Sequence, residues 1–315
     1  MSVNKKIIEK AEIPPVERFQ LLTYTGNGGT QTITTEFSPH FAFFRTGGSG
    51  YKYAANAFDG NYNNQITNED GWYQNNSDTC SFGTNQITVK GNWNSNGSGY
   101  KVLLFAINST GSTNTNGTIT STTYVNNTSG NSWITWTSVN STGTVGHGLN
   151  GTPDAVMIWP NHTSNEVLLN TSQFNAGGYY GGSPNFLYFS TSNYMGYGTA
   201  QFQSDHTSSK FYVNSGYSNR NNLGTPARAW AMKSVAGYSK FGAYEGRTWG
   251  TKTLNLGFEP ACVIIKSFSY NYPWTIATAS GDEGITFTST GFSMPANQVN
   301  INRNGAYWYM AWANG

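Results

Sequence analysis

Charge is the first thing this sequence has little of: Asp, Glu, Lys and Arg make up only 10% of 315 residues, and the formal net charge is +2. The cations are scattered rather than gathered into a stripe, so the field that draws proteins onto nucleic acid is weak, and no nucleic-acid partner is expected. Cysteine is almost absent. Cys80 and Cys262 lie far apart with no CxxC spacing, which argues against a disulfide scaffold and a structural zinc site and leaves two buried thiols as the expectation. Long Ala/Leu/Glu/Lys stretches are missing, so helices should be few. No stretch is long and apolar enough to span a bilayer as a helix. The first residues, MSVNKKIIEKAEIPPVERF, start basic but carry no apolar signal-peptide core, so synthesis in a cytoplasm is expected. On that expectation the sequons at Asn75, Asn108, Asn126, Asn140 and Asn161 are by-products of an Asn/Ser/Thr-rich composition.

What the chain does have is aromatic residues, 15% of the total, together with 37 Gly and much Asn, Ser and Thr. Aromatic and β-branched residues suit a pleated, half-buried surface, while Gly and Asn supply turns, so the fold class expected is all-β.

Internal repetition organises the rest. One copy opens at Tyr24-Thr25-Gly26, runs through GGTQTITTEFSPHFAFFR and closes with GYKVLLFAIN; another opens at Tyr244-Glu245-Gly246, runs through WGTKTLNLGFEPACVIIK and closes with AYWYMAWAN. Phe37-x-Pro39 answers Phe258-x-Pro260, Phe41–Phe44 answers Cys262–Ile265, and a basic residue follows in each, Arg45 and Lys266. A looser middle copy has Trp133–Trp136, then VGHGLNGTPDAVMIW, in which Pro153 takes the proline role and Ala155–Ile158 answers Phe41–Phe44 and Cys262–Ile265, then RAWAMK; its closing strand aligns Trp230-Ala231 with Phe105-Ala106 and Trp312-Ala313. The proline ends one strand and rigidifies the turn into the next, and the apolar run that follows reads as a strand buried on both faces. Residues 307–313 are apolar on both faces too.

Units on the order of 100 residues are domains rather than solenoid coils, so three tandem β-sandwich-like domains are expected in a row. The bounds read are a short N-terminal arm at 1–18, domains at 19–110, 122–236 and 237–315, and a Gly/Ser/Thr/Asn-rich linker at 111–121. The middle domain carries the longest insertion, Gln173 to Gln203, which reads either as an extra hairpin or as a Tyr-rich contact surface. The arm is too short to fold alone. It is either a frayed leader or, the favoured reading, an arm ordered by docking on a partner through Lys5, Lys6, Ile7, Ile8, Ile13, Pro14 and Pro15.

Chemistry is poorly marked. His40, His147, His162 and His206 stand singly, with no HExxH, GxSxG or P-loop, and no catalytic residue, enzyme activity or cofactor is expected. Asp282-Glu283 sits in a turn-like SGDEG and reads as a solvated loop rather than half of a glycosidase pair. Asp59, Asn61, Asn63 and Asp70 alternate like a calcium loop but lack the Gly at its sixth place and the Glu at its twelfth; they are a weak metal candidate, with Asx-turns the simpler reading. Aromatic faces that could stack on sugars or partners are Trp72, Tyr73, Trp93, Tyr179, Tyr180, Tyr194 and Tyr197.

The stretches Leu256–Ile265 (LGFEPACVII) and Tyr307–Trp312 (YWYMAW), repeated along the chain, resemble small β-domains of tailed-bacteriophage virion proteins such as tail fibres, head fibres and decoration proteins. The third copy matches best, and the middle one departs, with Gly151 where Phe would stand. The resemblance covers most of residues 19 to 315 and brings no catalytic residues with it. It implies a noncatalytic virion component that meets capsid, portal-adaptor or tail proteins and assembles as a homo-oligomer. The rival expectation is an adhesin or receptor-binding protein for host-surface polysaccharide.

Overall fold

A computed structural model describes residues 19–46, 52–57, 64–66, 72–74, 80–139, 141–159, 168–171, 186–188, 195–196, 206–213, 226–270, 272 and 274–313. These residues form an all-β protein whose only other regular elements are two short 3-10 turns, Gly91–Asn94 and Asp282–Gly284.

Each repeat builds an inner sheet in the same way. An opening strand pairs antiparallel with the closing strand, and the closing strand pairs on its other side with the strand after the proline. In the first repeat these are Phe19–Thr25, Gly99–Phe105 and Phe41–Thr46; in the middle one, Asn131–Thr137, Pro226–Met232 and Ala155–Trp159; in the third, Ser239–Glu245, Ala306–Ala313 and Pro260–Ser267. The closing strand is therefore central in every inner sheet, which is why its sequence is apolar on both faces. The first sheet grows to six strands and the middle one to eight, while the third has four. Phe186–Tyr188 and Met195–Gly196, inside the long middle insertion, pair antiparallel and extend that sheet, as the extra-hairpin reading expects.

Register refines the alignment of the repeats. Phe105 lies opposite Phe41 and Trp312 opposite Cys262, but Ala155 faces Met232 rather than Trp230. The middle closing strand is thus two residues out of step with the sequence alignment. A two-residue shift keeps every side chain on its own face, so the apolar pattern could not reveal it.

A smaller outer sheet covers each inner one: Gln31–Thr34, Gln86–Val89 and Cys80–Gly83 in the first repeat, Gly143–Gly146 and Lys210–Val213 in the middle, and Thr251–Asn255, Gly291–Pro295 and Thr286–Thr288 in the third. The outer strands Gln31–Thr34 and Thr251–Asn255 alternate half-buried and exposed positions, as one-sided antiparallel strands should. Between the layers lie three separate cores, built on Ala42 and Phe44, on Val156 and Ile158, and on Val263 and Ile265.

The opposite faces of the three inner sheets meet each other. Phe41, Phe43, Ala155, Met157, Cys262 and Ile264 belong to one hydrophobic core shared by all three repeats. At its heart Phe105, Trp230 and Trp312 touch pairwise, with ring centroids 5.4 Å, 5.0 Å and 6.3 Å apart. Phe41 also packs on Trp133 and Trp230, and Phe43 on Trp274. The sandwiches expected in a row are instead gathered about a common aromatic centre, which is what one face of Ala306–Ala313 packs against.

The region expected to be a linker is folded into the middle repeat. Ser112–Asn114 pairs with Ser121–Asn126, and Ile119 is buried in the middle core and bridges to Val145. Its Gly and Asn serve close approaches: a Cβ on Gly117 would lie 2.2 Å from the Thr144 carbonyl oxygen.

The Tyr-x-Gly that opens the first and third repeats now has a physical reason. Tyr24 stacks on Tyr100 at 4.7 Å and Tyr244 on Tyr307 at 5.2 Å. In each pair the first hydroxyl donates to a backbone carbonyl, of Trp93 or Ile301, and the second receives a backbone N–H, from Ser95 or Arg303. Gly26 and Gly246 pass under the same loops, where a Cβ would come within 2.2 Å of Ser95 O and 2.1 Å of Arg303 O. Buried Asn94 and Asn302 complete the latch by accepting the N–H of Asn27 at 3.2 Å and of Arg247 at 2.8 Å. The middle repeat has Trp136 opposite Ala227 at the equivalent register and no tyrosine pair.

Candidate functional site

The first and third repeats are joined by a charged clamp. Arg45 and Lys101 face one another across the first sheet. Arg45 donates to the Ile276 carbonyl at 2.7 Å and pairs with Glu283, while Lys101 donates to Asp282 at 2.7 Å. Burial alone would raise the Asp282 carboxyl, but bonds from Lys101 and from the N–H and hydroxyl of Thr278 outweigh it and hold the group below its ordinary value. The loop expected to be merely solvated therefore fastens the last repeat to the first. Lys266, which follows the third proline strand as Arg45 follows the first, is fully buried and donates to the Tyr272 carbonyl at 2.6 Å within its own repeat.

Between the first and middle repeats lies a cleft of about 670 Å³. The proline turn supplies Glu36, Phe37, Ser38 and His40; the outer-sheet turn supplies Asn85; the chain leaving the closing strand supplies Ala106 to Ser109; the hairpin after Ser121–Asn126 supplies Val125 to Thr128. The His40 Nδ1 accepts the Ile107 N–H at 3.3 Å, and burial lowers its pKa, so the ring is neutral at pH 7. In the sequence His40 stands as one isolated histidine. Its partners come from segments up to about 90 residues away, and no spacing rule could have collected them.

The other histidines whose positions are described serve the interior. His147 is buried, accepts the Leu149 N–H at Nδ1 and donates from Nε2 to the Thr207 carbonyl; burial lowers its pKa and that second bond partly offsets the shift. His206 is buried with Nε2 on the Asn170 carbonyl at 3.2 Å. Both cysteines are free and buried, and burial raises both thiols far above their ordinary range. Among the described residues no group of three or more His, Cys, Asp or Glu is placed to hold a metal ion.

Trp93, expected as a glycan or partner contact, is a correction: it is 2% exposed and packs edge-on against Phe44 at 4.7 Å in the first outer core. The 3-10 turn Gly91–Asn94, of which it is part, turns it inward onto buried Phe44. Trp72 and Tyr73 lie on Trp72–Gln74, the edge strand of the six-stranded sheet. Tyr179, Tyr180, Tyr194 and Tyr197 lie outside the described residues, as do the metal candidates Asp59, Asn61, Asn63 and Asp70 and the arm residues Lys5, Lys6, Ile7, Ile8, Ile13, Pro14 and Pro15. Trp249, which no motif in the sequence marks, is 76% exposed between Gly246 and the strand Thr251–Asn255.

A family model described as a domain of unknown function, DUF7483, matches residues 14–281. The chain belongs to the DUF7483 family. The matched DUF7483 region holds the first two repeats and the opening and proline strands of the third, but ends before Ala306–Ala313, the central strand of the third sheet. A comparison with curated proteins found no match.

Proposed function

We propose that this protein is a noncatalytic structural component of a bacteriophage virion, a fibre or decoration protein held to the particle by residues 1–18 and displaying its β-domains on the surface. The observation that carries the reading is the fusion of three sandwiches about one aromatic core. Such a block presents its loops from a stiff base, because close-packed interiors resist deformation. The ionisable groups inside it act as packing. Burial pushes the hydroxyls of Tyr307 and Tyr309 up to about 12, and raises that of Tyr244 and both thiols, so these groups stay neutral. The recurrence of the proline strand and the aromatic closing strand, on which the resemblance to virion β-domains rests, supports the same reading. Capsid, portal-adaptor or tail proteins are the partners proposed, the virion is the proposed location, and a homo-oligomer is the proposed assembly.

The test is immunogold labelling of particles from a bacteriophage that carries this coding sequence, with antibody to residues 19–313. Label on capsid or tail is the expected result, and deletion of residues 1–18 should leave a folded block that no longer joins particles. Absence of label overturns the reading, and normal incorporation of the deletion overturns the role of the arm.

A further inference from the structure

We propose that the cleft between the first and middle repeats is a binding site for a neutral, hydroxyl-rich glycan. Its volume, about 670 Å³, falls in the range of roughly 300–1,000 Å³ usual for small-ligand sites. The chemistry of its rim selects the ligand. Asn108 Oδ1 accepts the Thr110 N–H at 3.0 Å, Asn126 Oδ1 accepts the Thr128 and Ser129 N–H groups at 3.1 Å, and Asn127 Oδ1 accepts the Asn150 N–H at 2.6 Å. Asn85 Oδ1 accepts the Ser38 hydroxyl at 3.2 Å. In all four side chains the carbonyl oxygen is held by the protein, so each amide group is oriented before any ligand arrives.

The polar lining is therefore made of neutral amides and hydroxyls, from Asn85, Asn108, Asn127, Ser38, Ser109 and Thr128, with one carboxylate acceptor, Glu36, on the rim. A sugar hydroxyl both donates and accepts, and pairs with such a mixture, whereas an anionic ligand would meet the Glu36 charge and no cation among the lining residues. Ala106, Ile107 and Val125 supply the apolar part of the wall, against which the C–H face of a ring can rest. His40 stays uncharged there, so the cleft brings no positive charge of its own. The site stands whether or not the protein is carried on a particle, so failure of one does not entail failure of the other.

The experiment is ligand-observed saturation-transfer NMR on the full chain at millimolar concentrations of maltotriose, cellotriose, tri-N-acetylchitotriose and tri-galacturonic acid. At least one neutral trisaccharide is expected to bind saturably. That binding should weaken by about tenfold or more in N108A/N127A and in Glu36→Gln, and should vanish in Ser109→Trp, which fills the cleft from an exposed position. Trp249→Ala should bind as the unaltered chain does. Thermal melting of each variant separates loss of the site from loss of the fold. No binding by any neutral trisaccharide, binding indifferent to all three cleft variants in folded protein, or tighter binding of the acidic trimer overturns the proposal.

Discussion

Replacing Trp312 by alanine asks whether the three repeats unfold together. The indole is fully buried and touches Phe19, Phe105, Trp230 and Phe241, that is, rings from all three repeats. Truncating a core Trp costs about 3–5 kcal/mol, through lost transfer energy and the cavity left behind. About 4 kcal/mol corresponds to roughly a thousandfold rise in the unfolded fraction. Two native thiols report on it from different places: Cys262 in the shared core, and Cys80 in the outer core of the first repeat. Both are buried, so labelling by an alkylating reagent under native conditions needs an opening event. If the repeats form one cooperative unit, Trp312→Ala accelerates labelling of both thiols by the same factor, near a thousand, as peptide mapping by mass spectrometry would show. If Cys262 labels faster while Cys80 keeps its original rate, the first sandwich is stable without the shared core, and the argument for fusion fails.

Three further outcomes are expected. Asp282→Asn should cost no more than about 1 kcal/mol at pH 7, because the Lys101 and Asp282 side chains keep 37% and 25% of their surface in water and screening weakens the pair. The Asp282 carboxyl is depressed below its ordinary 3.8, so its contribution is complete above that value and disappears as pH falls through the folded pKa; melting temperatures of the two proteins should converge in acid. Gly246→Ala should destabilise by roughly 1–3 kcal/mol, since its Cβ would meet backbone 2.1 Å away, whereas Gly99→Ala, with nothing within 4 Å, should be neutral or slightly stabilising in urea titration. Trp249→Ala should leave stability within about 0.5 kcal/mol and remove the most red-shifted, acrylamide-quenched part of the tryptophan emission; unchanged quenching would mean that Trp249 is covered in solution.

The strands were legible because their periodicity is physical. Leu256–Ile265 and Tyr307–Ala313 carry apolar residues on both faces, and a strand with two apolar faces must be covered twice. The proline before Cys262 sits where the ladder needs no donor, and a register irregularity between Pro260 and Cys262 absorbs the entry. Trp93 was misjudged because composition says how much aromatic surface exists, not which ring finds Phe44. The residues of the cleft were each visible as ordinary turn formers. Asn85, Asn108 and Asn127 meet only because the first and middle repeats pack side by side.

That side-by-side packing is also why a chain of sandwiches was the natural reading and a ring of them was not. Two covers per inner strand can be supplied locally, by an outer sheet and solvent-shielding loops, or at long range, by neighbouring repeats. The apolar pattern is the same for both. What distinguishes them is size on the inner face. Position by position, Phe41 answers Ala155 and Cys262, and Phe105 and Trp312 answer Met232, so large residues in one repeat stand where another has small ones. An isolated sandwich would have to cover those volumes with its own loops, because its second sheet lies on the other face. In a shared core the balance is struck between repeats: Phe41 of the first fills space beside Trp133 and Trp230 of the second, and Trp312 of the third reaches Phe19 and Phe105 of the first. Sequence divergence among the inner-face residues, set against the preserved proline and strand order, is therefore the signature of fusion, and it predicts that exchanging the inner-face residues of one repeat for those of another destabilises the protein even though each strand stays equally apolar.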